Sequence, residues 1–273
     1  MGHWRLGRGG DVTSALYGLE QTADGVATLR ITTDETPHVG EAALTALTNA
    51  VDVIKRDPSI RALVLEGGEQ HFCSGATRDM LLDADAPQAI ARLMGGFPRL
   101  LLSLEIPTLA MMTGHAVGGG LMLGLWCDVA VLANESLYGA NFLALGFTPG
   151  MGSTVLLEEV FGVPLARDLL LTGRMVKGRE IREAGIPLSH AVAPRSDVRD
   201  RTYALASEMA QAPRTAMGLL KGQITTRRRA QLERAIADEL AMHTAVFGHP
   251  ETRTRIDESY PAPVVAGHGK ETT

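Results

Sequence analysis

The stretch GHAVGGGLMLGLWCD, residues 114–128, decides how this chain is interpreted. Its three consecutive glycines stand where one short apolar run ends and another begins. Glycine allows a ligand to approach backbone N–H groups closely, because no side chain intervenes. The apolar residues that follow carry no acid, base or nucleophile. The stretch therefore predicts a backbone site for an anion, and a tight packing contact between a strand and a helix is the alternative.

Short strands and amphipathic helices surround this stretch. RALVLEGG (61–68), TLAMM (108–112) and DVAVLA (128–133) are apolar runs typical of buried strands. Asp24-Gly25 is a hairpin signal between two strand-like runs. Residues 40–58 predict a helix that stops at Asp57-Pro58. Its apolar face consists of Leu44, Leu47, Val51 and Ile54.

Strands and helices alternate as far as about residue 195, which predicts an α/β fold. We expect a loose N-terminal arm over residues 1–14 and a core over 15–196. Only helical patterns follow, so 197–260 is predicted to be a helical region, and a disordered tail is expected over 261–273. A helix after Pro87 is expected to be interrupted at Gly95-Gly96 and Pro98.

Composition limits the possible functions. The 273 residues are 45% hydrophobic and 21% charged, as expected for a globular domain, and the net charge of −5 argues against nucleic-acid binding as the main role. No apolar run reaches the roughly 18 residues that span a membrane. Cys73 and Cys127 form no C-x-x-C motif and no disulfide framework. We therefore expect a cytoplasmic protein with neither metal nor cofactor.

A second loop carries the same backbone signal as the glycine run. HFCSGAT, residues 71–77, follows the strand at 62–66 and again places small residues at a strand end. Two such loops supply paired N–H donors for a developing oxyanion. Cys73 lies beside this loop, but no general base accompanies it, so no nucleophile is assigned.

The ordered motifs HFCSGA, GHAVGGGLMLGLWCDVAV and YGANFLALGFTPGMGST resemble the enoyl-CoA hydratase/isomerase (crotonase) superfamily over nearly the whole chain. The resemblance implies a spiral of ββα turns with a C-terminal helical region, assembled as a homotrimer or a dimer of trimers. It also implies an acyl thioester substrate whose enolate is held by two backbone N–H groups. By position these donors are Ala76 and Gly119, with Gly118 contacting the substrate.

Two departures from the family matter most. Its hydratases use two glutamates, and the corresponding positions here are Met122 and Phe142. Neither side chain transfers a proton. The resemblance therefore argues strongly against hydration and less strongly against isomerisation, and it leaves Met122 and Phe142, together with Asn141, as expected substrate contacts.

A narrower branch fits better. NFLALGFTPGMGST, LLLTGRMVKGREIREAGIP and ELAMHTAVF are similar to the crotonase-like decarboxylases of polyketide β-branching cassettes. The similarity implies loss of CO2 from 3-methylglutaconyl on an acyl carrier protein, which leaves 3-methylcrotonyl. Such a reaction needs an electron sink and no base, which explains the missing glutamates.

The proton for the resulting dienolate is expected from His243, which matches a histidine of that branch. From spacing alone, His243 shares the buried stripe of its helix with Ile236, Leu240 and Phe247, so a core histidine is the alternative. An unperturbed imidazole, with a pKa near 6.5, suits a general acid at neutral pH. His115, which precedes the glycine run, is expected to have a structural role.

The partner of the departing carboxylate is less well defined. Some relatives carry a tyrosine and a lysine in the loop where this chain has Met80 and Ala84. Arg78 is the nearest cation and is expected to hold the substrate carboxylate as a bidentate pair. A solvated surface arginine is the alternative.

One basic cluster suggests how a carrier protein docks. KGQITTRRRAQ brings together Lys221, Arg227, Arg228 and Arg229 in an otherwise acidic chain. Because carrier proteins are acidic, the cluster is expected to bind one, although a solvated helix face is the usual reason for such a run.

Two other functions stay open at the level of sequence. One is a crotonase-fold isomerase or hydrolase of a CoA thioester. The other is a noncatalytic scaffold subunit of a synthase complex. Retention of both donor loops argues against the scaffold, because a scaffold needs no oxyanion donors.

Overall fold

A computed structural model describes residues 17–31, 37–83, 86–185 and 192–259. The expected N-terminal arm and C-terminal tail lie outside the described residues. The α/β class predicted from the alternating pattern is confirmed.

The described strands form two sheets that the chain visits in turn. The strands are β1 Tyr17–Gln21, β2 Val26–Ile31, β3 Ala62–Glu66, β4 His71–Cys73, β5 Thr108–Met112, β6 His115–Val117, β7 Val129–Ala133, β8 Leu137–Gly139, β9 Met175–Lys177 and β10 Val192–Ala193. The larger sheet has the order β1-β2-β3-β5-β7-β10 and the smaller sheet the order β4-β6-β8-β9. Each of β3, β5 and β7 in the larger sheet is followed along the chain by a short strand of the smaller sheet, so the chain forms a spiral.

Helices cover the sheets and make up the C-terminal region from Arg195 onward. The helices are α1 Glu41–Arg56, α2 Arg78–Leu82, α3 Ala86–Leu102, α4 Gly119–Leu125, α5 Ser153–Thr172, α6 Gly178–Glu183, α7 Arg195–Ala210, α8 Arg214–Val246 and α9 Pro250–Ser259, with a 3₁₀ helix at Leu143–Leu145. The long α8 packs against α3 and α5.

Two local expectations were wrong. α3 runs through Gly95, Gly96 and Pro98 without a break, since Gly96 lets the helix pack closely on Leu44 of α1. The segment after Gly67, expected to be a loop, contains β4, which pairs with β6. A three-residue strand is too short to give a periodic signal.

The basic cluster of α8 is not a single exposed surface, which corrects the sequence interpretation for Lys221. Its side chain is 4% exposed, and its ammonium group donates to the Ile106 carbonyl at 2.6 Å and to Asp128 at 2.7 Å. Burial lowers the pKa of Lys221, and the Asp128 carboxylate opposes that shift. The side chain therefore fastens α8 to the start of β5.

Arg228 is also buried, which corrects the same expectation. Its guanidinium lies against the last carbonyls of α4, 3.2 Å from the Leu125 oxygen, and 5.0 Å from the centre of the Trp126 ring. Glu159 pairs with it at 3.1 Å. Cations are favourable at helix C-termini, so Arg228 acts as a cap for α4. Arg227 and Arg229 remain exposed.

No helix within the described ranges is both long enough and apolar enough to cross a membrane.

Candidate active site

A cavity opens between the ends of β4 and β6 on one side and the C-terminal half of α8 on the other. Its walls are mostly apolar. Among the lining residues that the structure describes, the polar side chains are Ser74, Asn141 and His243, and His243 is the titratable one. The expected donors Ala76 and Gly119 both line it, together with Gly118 and Phe142.

Parallel pairing of two short strands brings the donor loops together. β4 pairs with β6, with His71 opposite His115 and Cys73 opposite Ala116, so both chains leave the sheet at the cavity. Gly75 follows β4 with φ +79°, and a Cβ on it would lie 2.8 Å from the Val117 carbonyl oxygen. A Cβ on Gly120 would overlap the Cys73 carbonyl. Glycine is therefore required on both sides of this contact.

Gly118 fixes the turn into α4. It has φ +53°, and its N–H donates to the Gly139 carbonyl of β8 at 2.8 Å. A Cβ on Gly118 would meet the Asn141 amide oxygen at 3.3 Å. Asn141 therefore lies directly beside the glycine run, and it also lines the cavity.

The two positions of the hydratase glutamates differ in their surroundings. Phe142 lines the cavity and packs edge-on against Phe147, with 5.9 Å between ring centres. Met122 is fully buried and lies in the hydrophobic core rather than in the cavity wall. The expectation of a substrate contact from Met122 was therefore wrong, because its side chain packs into the core.

His243 projects from α8 into the cavity wall. Its side chain is buried, its ring stacks on Phe247 at 5.1 Å, and Nε2 lies 3.0 Å from the Pro149 carbonyl oxygen. A carbonyl only accepts, so Nε2 carries the hydrogen. Nδ1 is buried without a hydrogen-bond partner among the described residues. Burial lowers the pKa of His243 from the ordinary value of an imidazole, and the carbonyls of Pro149 and Thr148 oppose that shift.

Arg78 does not face the cavity. Its guanidinium pairs with Asp257 of α9 and lies 3.5 Å from Asp79. These partners hold it outside the cavity lining, which corrects the expectation of a substrate contact. Met80 contributes an apolar side chain to the wall, and Ala84 lies outside the described residues.

Other polar side chains near the site have structural contacts. The Leu137 N–H donates to His115 Nδ1 at 2.8 Å, which links the paired strands β6 and β8. The Tyr138 hydroxyl donates to the Met112 carbonyl and accepts from the Ala133 N–H, both at 2.8 Å. Burial raises the pKa of the Cys73 thiol to about 12, so this thiol is un-ionised at neutral pH.

Two side chains that hold the cavity wall in place were not identified from the sequence. Trp126 donates from Nε1 to the Met151 carbonyl at 2.7 Å, and Glu239 accepts from the Gly152 N–H at 2.7 Å. Glu239 could have been identified from its position, because it lies four residues before His243 and therefore on the same face of the helix. Among the described residues, no group of three or more His, Cys, Asp or Glu side chains is arranged to hold a metal.

Comparison with known proteins identifies the family. Residues 22–260 match the enoyl-CoA hydratase/isomerase family model. This chain belongs to the enoyl-CoA hydratase/isomerase family. The bacillaene synthase decarboxylase PksI of Bacillus subtilis is 37% identical over 215 residues, which are 78% of this chain and 85% of PksI.

Solved structures agree with this relationship. The ECH2 decarboxylase domain of CurF from Lyngbya majuscula superposes with a TM-score of 0.81 at 30% identity, over 90% of this chain and 100% of that domain. A structure from a dehydratase/decarboxylase enzyme couple involved in polyketide β-branching gives a TM-score of 0.80 at 31% identity, over 91% and 97% of the two chains. The predicted membership of the family's decarboxylase branch is confirmed.

The close approach of the two donor loops predicts a specific loss of stability in Gly75→Ala. At Gly75, an alanine would have a strained backbone at φ +79°, and its Cβ would also collide with the Val117 carbonyl. At Gly185, with φ +71°, an alanine would have the backbone strain but no collision, because nothing lies within 4 Å of its Cβ. Left-handed backbone costs a non-glycine residue about 1–2 kcal/mol. Urea denaturation should show a loss for Gly75→Ala that exceeds the loss for Gly185→Ala by at least about 1 kcal/mol. Equal losses would show that the loops have room to separate.

Proposed function

We propose that this protein removes CO2 from a 3-methylglutaconyl group carried as a thioester on an acyl carrier protein and leaves a 3-methylcrotonyl group. The observation that carries the proposal is the composition of the cavity. It combines the two donor loops, with Ala76 and Gly119, and the imidazole of His243. No carboxylate side chain lies among the described lining residues, so the cavity offers an electron sink without a carboxylate base.

The proposed reaction needs only the substrate and one added proton. The bond from the γ-carbon to the carboxylate carbon breaks, and its electron pair is delocalised through the double bond onto the thioester oxygen. The N–H groups of Ala76 and Gly119 stabilise this dienolate, and one such donor contributes roughly 3 kcal/mol to a transition state. His243 then gives a proton to the γ-carbon, which yields the 3-methylcrotonyl thioester.

The apolar wall contributes to the loss of CO2. A carboxylate transferred from water into this cavity meets no lysine or arginine among the described lining residues. Its charge is therefore poorly solvated, and the neutral CO2 and the hydrogen-bonded dienolate are favoured relative to it. Asn141, beside the glycine run, supplies the amide group that we propose orients the carboxylate.

Substrate binding prepares His243 for proton transfer. In the free protein, burial favours the neutral imidazole. An anionic substrate in the same cavity favours the imidazolium, because an opposite charge within about 4–6 Å raises the pKa of histidine. The proton is then taken up with the substrate and delivered to the dienolate.

Mass spectrometry of the intact carrier protein tests the proposed function. Incubation with 3-methylglutaconyl-carrier protein should reduce its mass by one CO2, while 3-methylcrotonyl-carrier protein should stay unchanged. Hydrolysis to the free carrier, isomerisation without mass change, or no reaction by folded protein would each contradict the proposal. The last result would favour the scaffold.

The same assay separates carrier-bound from CoA-bound substrate. Arg227 and Arg229 are the exposed part of the basic cluster, and we propose that they contact the acidic carrier. The double change Arg227→Glu/Arg229→Glu should lower kcat/KM for the carrier-bound substrate about tenfold, more at low salt, and leave the CoA thioester unaffected. Arg182→Glu, an exposed arginine of α6, is the matched control. Equal effects on both thioesters would remove these arginines from docking.

The role of His243 predicts how the rate depends on pH. The imidazolium is the acid, so kcat/KM should fall as pH rises through the His243 pKa. Burial places this pKa below the ordinary value, so the midpoint should lie below about 6.5. His243→Gln should remove this limb and lower kcat about 100-fold, whereas the exposed His249→Gln should do neither. A wild-type profile that is flat between about pH 5 and 8 would contradict the assignment.

A further inference from the structure

Glu239 is a buried carboxylate that the proposed mechanism does not use. Its side chain is 0% exposed, and it lies on α8 one turn before His243. Residues four apart share one face of a helix, so both side chains point toward the same part of the molecule. Burying a carboxylate without compensation is costly, so its contacts need an explanation.

The contacts of Glu239 are all at the start of α5. One carboxylate oxygen accepts the Gly152 N–H at 2.7 Å, and the other accepts the Thr154 N–H at 3.0 Å and the Thr154 hydroxyl at 2.8 Å. Gly152 is the N-cap of α5, and it has no side chain to accept these bonds itself. Glu239 therefore caps α5 from another helix, where the helix dipole favours a negative charge.

The segment immediately before α5 forms part of the cavity wall. Residues 148–152, the connecting loop, are held at three points: by His243 at the Pro149 carbonyl, by Trp126 at the Met151 carbonyl and by Glu239 at the Gly152 N–H. Met151 has φ +59°, a strained value for a non-glycine residue. Its backbone therefore stays in place only because the surrounding contacts hold it.

The connecting loop touches both parts of the proposed machinery. The Met151 sulfur lies 3.0 Å from the place a Cβ would take on Gly119, and His243 Nε2 lies 3.2 Å from the corresponding place on Gly150. The loop therefore sets the distance between Gly119, the proposed oxyanion donor, and His243, the proposed proton donor. Its position is set by α8, which carries both Glu239 and His243.

We infer that Glu239 is a positioning residue, which holds the connecting loop so that His243 faces the substrate bound at Gly119. This inference rests on the proposed function for its kinetic consequence, and its structural part stands on the hydrogen bonds alone. Without the carboxylate, the Gly152 N–H loses its acceptor and the strain at Met151 is no longer opposed. The Pro149 carbonyl then moves from His243, and the acid loses its orientation.

Glu239→Gln tests the kinetic consequence. The change keeps the size of the side chain but turns one acceptor into an NH2 group that faces N–H donors. We expect kcat to fall at least tenfold while KM changes less than threefold, since misplacement of a reacting group by about 1 Å can cost 100-fold. Asp238→Asn, which changes the exposed carboxylate immediately before Glu239 on α8, should leave both constants unchanged. Thr154→Val should lower kcat to a smaller extent, and Thr154→Ser, which keeps the hydroxyl, should restore it.

A measurement on the resting protein tests the structural part without any substrate. In protein with ¹⁵N-labelled histidine, the His243 signals, assigned with His243→Ala, should show the neutral ring with its hydrogen on Nε2. Glu239→Gln, and Thr154→Val to a smaller extent, should give a mixture of the two tautomers. An unchanged tautomer in a folded variant would overturn the inference, whether or not kcat falls. If the wild type does not decarboxylate the substrate, the proposed function fails, while the tautomer still decides the role of Glu239.

Discussion

The site depends on one close approach between two backbone segments. The carbonyls of Cys73 and Val117 lie where side chains on Gly120 and Gly75 would have to be, so the two loops fit together only with glycine at these positions. This contact extends the pairing of β4 with β6 beyond the sheet. It brings Ala76 and Gly119 to one wall of the cavity, and any residue that separates the loops also separates the proposed donors.

α8 supplies the opposite wall and fixes its position. Three of its buried side chains satisfy groups at the end of a core element: Lys221 at the start of β5, Arg228 at the end of α4 and Glu239 at the start of α5. Removing one partner of such a buried set costs about 3–5 kcal/mol, so the register of α8 on the core is strongly determined. His243 lies on the same helix, so these contacts also determine its position relative to the core.

The sequence predicted the parts of the site that depend on backbone chemistry and on the family pattern. The two glycine-containing loops, Phe142 and His243 were all assigned to the site from their motifs, and all line the cavity. The directions of individual side chains could not be predicted in this way. Arg78 was assigned to the substrate because it is near in sequence, but Asp257, which is 179 residues further along the chain, pairs with it.

The same limit applies to α8. The run of three arginines and Lys221 indicated an exposed basic patch, since charged residues are seldom fully buried. Burial of Lys221 and Arg228 depends on Asp128 and on the end of α4, partners that local sequence does not reveal. Glu239 was overlooked for the same reason, because its acceptor role is defined by a loop that precedes it by more than eighty residues.

We propose that the cavity stabilises a dienolate formed by loss of CO2 and then protonates it. The most direct measurement is the reaction of 3-methylglutaconyl-carrier protein in D2O, followed by the mass of the detached acyl group. The expected product is an acyl group that has lost one CO2 and gained one deuterium. An acyl group that keeps its carboxylate, or that has gained the mass of water, would contradict it.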